Sequence, residues 1–415
     1  MKGFRLALLA TLMVALLGMG LAQKKVLQVV WFTEGSGEAA IFEKFLKEYK
    51  DQNPDVDFAI TYVPFQELTK KLQLLVAGGT PPAMARVVTA NIAEFDGAAL
   101  DLARYTDGKA FLAQFLPSQL PYVRRGARVI GAPIDVTANG LFYNKTCFQQ
   151  AGVSVPTGPD NVWTWAEWVA ALKKVTQSSS CRFGLAYDYT THRWSTLLYG
   201  AGGRFVSEDG QRMAINRTAG IRTVLFFAGL FEQGLIPKSI WLSGENPNAL
   251  FRSGLVAMHM SGNWNLNEYA QIKNFEWGVT YLPKDKIRST VPGGKFIMGF
   301  KDSRYPEETA RFIQWFTSRE VNHRFSRENL FLSARKDGKE VEYPRFNDAF
   351  KIYLSDLGVT PEYVGADWAN PAMARLNTYI RDQLVQAILG KQTPAQTVSN
   401  IEQEGNRVLK ELQAR

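Results

Sequence analysis

The 415-residue chain carries only two cysteines and three histidines. His192, His259 and His323 are far apart, and none has an H-x-H or H-x-x-x-H partner, so no zinc centre is expected. No G-x-S-x-G elbow, no phosphate-binding loop and no G-x-G-x-x-G behind a strand occurs. The motifs of nucleophilic, metal and dinucleotide chemistry are therefore missing, and neither a cofactor nor an enzymatic activity is expected. A glycosidase needs only two carboxylates at a controlled separation. Glu34, Asp96, Asp135 and Asp188 could supply them, so a secreted carbohydrate-active enzyme stays open as the alternative. Lys and Arg form no block resembling a nucleic-acid arm, although the formal charge is +9; no nucleic-acid partner is expected. Internal repeats and low-complexity linkers are absent too. After residue 22 no apolar run reaches the ~20 residues that a membrane span requires.

The chain begins with a recognisable signal. Lys2 and Arg5 precede an apolar run over residues 6–17, and Gly20-Leu21-Ala22 places small residues where signal peptidase reads. Cleavage after Ala22 is expected, leaving Gln23 as the mature N-terminus in a periplasm or outside the cell. An N-terminal membrane anchor is the alternative, but the run is short for one. No cysteine near the cleavage point would take a lipid. The signal segment holds two of the positive charges and no acid, which leaves +7 on the mature chain. A solvated surface explains that charge, with an anionic ligand or membrane partner as the minor alternative. In an oxidising compartment the two cysteines, Cys147 and Cys181, suggest one disulfide. Two buried free thiols are the other reading, since spacing alone does not fix bond geometry.

Nearly four hundred mature residues exceed the roughly 250–300 at which one core stops growing, so two lobes are expected. Residues 26–32 are apolar except Gln28, the pattern of a strand buried on both faces. Ile41, Phe42, Phe45 and Tyr49 follow at helical spacing up to Asn53-Pro54. Val56, Phe58, Ile60 and Tyr62 alternate as a strand, and Phe65, Leu68, Leu72 and Leu75 form another helical stripe ended by Gly78-Gly79. Strand–helix–strand–helix argues for parallel sheets covered by helices. Trp163, Trp165 and Trp168 punctuate a helix as core residues. Residues 183–187, 255–260 and 275–282 are strand candidates. The tail holds two amphipathic helices, one through Met373, Leu376, Ile380 and Leu384 to about Gly390. The other covers 394–412, with Thr393 before Pro394 as its N-cap.

Ten tryptophans are present, several beside polar groups in stretches that look like loops. Flat aromatic faces stack on the apolar faces of a pyranose while carboxylates, amides and Arg bond its hydroxyls. Asn263-Trp264-Asn265 follows an apolar strand, where a loop can line a cleft. Trp31 and Glu34 end the first strand in the same sense. Trp194 follows Asp188-Tyr189 and His192-Arg193, and Trp368 follows Asp367. Core packing is the competing explanation for any one of these.

In chain order the residues also resemble a known group. Tyr143-Asn144-Lys145, Ala151-Gly152-Val153 and Trp163-Thr164-Trp165 are similar to its YNK…AGL…P.TW segment. The stretch KLQLLVAGGTPP at 71–82 resembles its K-L…A-G-G-P-D. Phe251-Arg252-Ser253-Gly254 to Met258, then Ser261-Gly262-Asn263-Trp264, resembles F-x-x-G-x-x-A-M…G-x-W. Gly293-Gly294, the helix 306–316 and Ile388-Leu389-Gly390-Lys391 complete the set. The group is the extracellular solute-binding proteins of carbohydrate ABC importers, which includes maltose-binding protein. Ala83-Met84 stands where that group often has Asp-Val, which leaves the following loop, 89–96, without a clear counterpart.

The resemblance implies an α/β, two-lobed periplasmic-binding-protein fold, each lobe a mostly parallel sheet flanked by helices, hinged around a ligand cleft. It implies a first lobe of residues 23–135 and 292–338 and a second of 139–288 and 340–415. Crossings would lie near 135–139, 288–294 and 336–345. A carbohydrate would bind in the cleft, and the closed monomer would dock on the membrane permease of an ABC importer. Trp264 would be the main stacking platform, with Trp31, Trp194 and Trp368 as further aromatic candidates. Glu34, Gln66, Asn91 and Asp96 would contribute polar groups from the first lobe. Tyr143, Asp188, Asn263 and Asn265 would answer from the second, with the Gly293-Gly294 backbone at the hinge. Relatives that take glycerol phosphate esters give an alternative ligand, and Arg193, Arg204 or Lys295 could hold such an anion.

Overall fold

The computed structural model of the protein describes residues 24–33, 37–89, 91–215 and 217–414. The expected signal segment, residues 1–22, and Glu34 lie outside the described residues, as does the side chain of Gln66.

Strand β1 (Lys25–Trp31) turns Leu27, Val29, Val30 and Trp31 inward. Val26 and Gln28 are open, so burial on both faces holds only for its second half rather than for the whole strand. Helix α1 (Glu38–Gln52) starts after Gly37, whose φ of 96° suits glycine and strains other residues. It buries Phe42, Phe45, Leu46 and Tyr49, the inward stripe of an amphipathic helix. Asn53 ends it, its amide donating to the Tyr49 carbonyl at 2.9 Å. β2 (Val56–Tyr62) pairs in parallel with one edge of β1. After α2 (Leu68–Ala77), β3 (Met84–Val88) pairs in parallel with the other edge.

Parallel pairing in this lobe ends there. β4 (Ala132–Asn144) is a thirteen-residue strand buried along nearly its whole length. The chain then forms α3 (Trp165–Ser178), β5 (Phe183–Tyr187), α4 (Thr191–Gly200), α5 (Arg217–Glu232), β6 (Val256–Gly262) and β7 (Trp277–Thr280). β8 (Pro292–Gly299) returns to lie between β3 and β4, antiparallel to both. The sheet is therefore mixed rather than mostly parallel, because the returning segment enters the first lobe from the opposite end. α6 (Pro306–Phe316), α7 (Arg319–Asn329), α8 (Asn347–Gly358), α9 (Glu362–Ala369), α10 (Pro371–Ile388) and α11 (Pro394–Gln413) complete the chain.

β4 belongs to both lobes. Its residues 132–138 pair with β8, and the short Leu332–Ser333 segment bridges to Val136 and Asp135. Residues 139–144 pair instead with β6 on one edge and β7 on the other, and β5 adds in parallel to β6. The result is the two-lobed periplasmic-binding-protein fold, with helices over mixed sheets. Trp31 stacks on Phe42 at 3.7 Å in the first core, while Trp168 and Trp241 are buried in the second. Cys147 and Cys181 are joined in a disulfide, which excludes the free-thiol alternative. Thr393 caps α11 with a reciprocal Gln396 bond, as the Thr-Pro pair suggested. Among the described residues no helix is long and apolar enough to cross a membrane.

Candidate functional site

Glycines mark where side chains lie against the strand that links the lobes. A Cβ on Gly293 would stand 2.5 Å from the Thr137 hydroxyl and 3.6 Å from Nε2 of His192. A Cβ on Gly262 would stand 1.9 Å from the Trp264 ring and 2.5 Å from the Ala138 carbonyl oxygen. Gly262 has a φ of −165°, extended backbone open to any residue, so space and not conformation demands glycine there. These close approaches gather Thr137, His192 and Trp264 at one crossing. His192 also faces Trp368 with ring centroids 4.8 Å apart. The Arg193 guanidinium lies 4.1 Å over the half-buried Trp264 ring, a favourable cation–π geometry.

Arg193 is fixed from several sides. Its Nε donates to Asp188 at 3.1 Å and its Nη1 to the Asn139 side-chain oxygen at 2.6 Å. Asp188 also pairs with Nε2 of His259 at 2.7 Å and accepts from the Ser261 hydroxyl at 3.2 Å. Asn265 extends the network, donating to Ser261 and to Asn248, each at 2.8 Å. Burial pushes the Asp188 carboxyl up, but His259 and Arg193 outweigh it and hold the group below its ordinary value. Burial, with Arg193 beside it, holds His192 well below the usual imidazole range, so that ring is neutral at pH 7. Nη1 of Arg193 lies 2.7 Å from Nδ1 of His192. Guanidinium can only donate, so Nδ1 accepts and Nε2 carries the hydrogen on the side of Gly293.

A second polar group underlies the first lobe. Arg86 on β3 pairs with Glu38 in the first turn of α1 and donates to the Phe32 carbonyl at 2.7 Å. Its other terminal nitrogen is 3.7 Å from Asp135 on β4, which in turn meets Lys295 of β8 at 3.3 Å. Two cations and two acids compensate one another in a wholly buried setting. Arg204 of the second lobe likewise stands 3.5 Å from Asp367. Among the described residues no cluster of His, Cys, Asp and Glu could hold a metal ion.

Of the residues expected at the site, the crossing brings together Asp188, Asn263, Trp264, Asn265, Gly293, Gly294 and Trp368. Asn263 accepts from the Ala138 amide at 2.9 Å, tying β6 to the crossing strand. Gly294 offers its carbonyl to the Thr89 amide at 3.1 Å. The others stand elsewhere. Trp31 is core, stacked on Phe42. Trp194 is in helix α4, not a loop, and is fully buried 6.2 Å from Phe205. Trp368, though it reaches the crossing, is likewise helical, on α9, and buried. Asn91 folds its own turn, accepting from Val88 at 2.9 Å and donating to Thr69 at 3.0 Å. Asp96 bonds Arg125 and Arg128 at 3.1 and 3.0 Å. The Tyr143 ring lies against Gly278 of β7. Gln66 is in a short 3-10 turn, Phe65–Glu67.

Sequence reasoning did not place Thr137, Asn139, His259 or Ser261 at the site, named His192 in passing and gave Arg193 only as the holder of an anion. The common signal of the first four is a polar residue inside a buried strand.

A two-lobed fold with a polar, aromatic crossing can be set beside known proteins. Residues 34–323 match the bacterial extracellular solute-binding proteins. The chain belongs to that family. Among the solved structures it is similar to an ABC substrate-binding protein of Listeria monocytogenes in complex with cycloalternan. The TM-score is 0.80 at 21% identity, covering 93% of this chain and 99% of the other. A binding protein of Brucella abortus is 22% identical over 89% of this chain and 90% of its own. The sn-glycerol-3-phosphate-binding periplasmic protein of Rhizobium meliloti is 24% identical over 58% of this chain and 59% of its own. These relatives are named as binding proteins and not for a reaction.

Proposed function

We infer that this protein captures a neutral sugar between its lobes and delivers it to the membrane permease of an ABC importer. The observation that carries the reading is Trp264, half-buried at the crossing and backed by a guanidinium that Asp188 and Asn139 hold in place. An aromatic face beside a charged donor and a neutral imidazole suits a pyranose with its hydroxyls. The likeness to a cycloalternan-bound protein supports the same class. In this reading the lobes comprise residues 23–135 with 292–338 and 139–288 with 340–415. That β4 changes partners between residues 138 and 139 supports the division. Signal cleavage after Ala22 would release the protein to the periplasm or the exterior as a monomer.

A glycerol phosphate ester is the second reading, favoured by the Rhizobium relative. Against it, each cation suited to an anion already faces an acid: Arg193 with Asp188, Arg204 with Asp367, Lys295 with Asp135. Isothermal titration of residues 23–415 against mono-, di- and trisaccharides and glycerol phosphates separates the two. A one-to-one sugar complex with the ligand recovered intact supports capture. Tight binding that requires the phosphate overturns the neutral-sugar assignment, and conversion of the sugar overturns the binding role.

A further inference from the structure

Two cavities outside the crossing share a wall. One, of about 610 Å³, opens between the lobes: Ile41 and Glu328 of the first face Arg252, Asn267, Gln271 and Arg345 of the second. Asn267 lies three residues beyond Trp264 and spans the lobes, donating to the Asn329 carbonyl at 2.8 Å. The other, of about 770 Å³, lies on the second lobe alone, over the edge strand β7. Arg345 and Ala270 line both. Arg345 joins them physically, since its Nη2 donates to the Asn267 side-chain oxygen at 2.7 Å and its guanidinium stands 5.2 Å from the Phe346 ring.

The outer cavity has the chemistry of a sugar surface. Trp277 and Phe346, both half-buried, sit 5.4 Å apart, and Tyr143 lies beside them against Gly278. Asn347 and Lys145 rim the same groove with hydrogen-bonding groups. Among the described residues Phe346 is one of two non-glycine residues with positive φ, at 63°, a conformation costly for an aromatic residue.

We propose that the solute is an oligosaccharide whose leading rings sit at Trp264 and whose trailing rings leave the seam past Arg345 to rest on Trp277 and Phe346. The proposal rests on the sugar-capture reading and adds a length preference to it. Tyr143, which the crossing does not use, becomes part of this outer subsite.

The test is a ladder of α-1,4- and of β-1,4-linked glucose oligosaccharides, disaccharide to hexasaccharide, titrated into residues 23–415. Affinity should rise with length, by about tenfold between the shortest and longest binding members. In Trp277→Ala that ratio should collapse towards unity. Phe346→Gly is the second variant, because glycine is at ease at this φ and the ring is removed without backbone strain. A flat length profile in the parent protein, or an unchanged ratio in both variants, overturns the outer subsite while sugar capture stands. Silence from every oligosaccharide also overturns it. Whether capture itself then fails is read separately from the monosaccharides and glycerol phosphates of the first panel.

Discussion

Replacing Gly262 with alanine tests the central geometry directly. The added Cβ would fall 1.9 and 2.1 Å from two atoms of the Trp264 ring and 2.5 Å from the Ala138 carbonyl oxygen. The ring can swing aside, but the carbonyl belongs to the strand that crosses between the lobes, whose neighbour Asn139 pairs with Gly262 itself. Overpacking of this kind costs about 1–3 kcal/mol. Displacing Trp264 from Arg193 also forfeits a cation–π contact of roughly 0.5–2 kcal/mol. Because Gly262 has extended backbone, none of the effect comes from φ. Gly97→Ala is the control, since a Cβ there meets nothing within 4 Å. Urea unfolding should show Gly262→Ala less stable than the control by at least 1 kcal/mol, about a fivefold change in the folding constant. Titration with the tightest sugar of the panel should show at least about tenfold weaker binding. If both quantities match the control, the ring does not rest on Gly262 and the platform has been misread.

Trp264→Ala should weaken sugar binding at least about tenfold, measured by the same titration, and cost stability by roughly the 0.5–2 kcal/mol of the lost Arg193 contact. Arg193→Lys keeps the charge but loses the fork that reaches Asp188 and Asn139 together, so affinity should fall several-fold and the stability in urea by about 1–3 kcal/mol. Replacing Cys147 and Cys181 with serine should cost about 3–4 kcal/mol in denaturant unfolding, given their sequence separation of 34. Asp367 is held up to about 6 by burial, above the unfolded value of about 4. Its contribution is therefore complete below about pH 4 and is lost as pH rises through about 6, up to roughly 3 kcal/mol. Asp367→Asn should flatten the fall in urea midpoint between pH 4 and 7; an unchanged slope would contradict the assignment.

The elements with strong periodic burial were legible in the sequence. The stripe through Phe42, Phe45 and Tyr49 and the Thr393-Pro394 cap mark helices that the structure shows within a residue or two. Five strands could be read, but not β3, the shared strand β4 or the returning β8, nor the direction of any strand. β8 is buried throughout but opens on Pro292-Gly293-Gly294-Lys295, which does not read as a strand, and only the path of the chain through the second lobe makes it antiparallel. The tryptophans were harder. Trp31 and Trp264 have similar neighbours in sequence, each ending a strand beside polar residues. What separates them is Phe42 waiting one helix away for Trp31, while Gly262 leaves Trp264 room to lie over the crossing. Trp194 was misplaced because Thr190-Thr191 reads as loop, whereas Thr190 caps α4 by accepting from the Arg193 amide at 3.1 Å.

The same cap links local structure to recognition. By starting α4 at Thr191 it sets His192 and Arg193 in the first turn, pointing back to the crossing, and drives Trp194 into the core behind them. Arg193 then bonds Asn139 on the shared strand, and Thr290, on the next crossing, donates to the Asn139 carbonyl at 2.8 Å. A solute that touches Trp264 and Arg193 therefore presses on the strand about which the lobes would turn. A ligand shifts a conformational equilibrium only by its difference in affinity for the two states. In the proposed division Trp264 and Arg193 fall in one lobe and Thr89 and Gly294 in the other, so that difference can arise here. A solute large enough to meet both sets gains contacts only when the lobes approach, and one that meets Trp264 alone gains none.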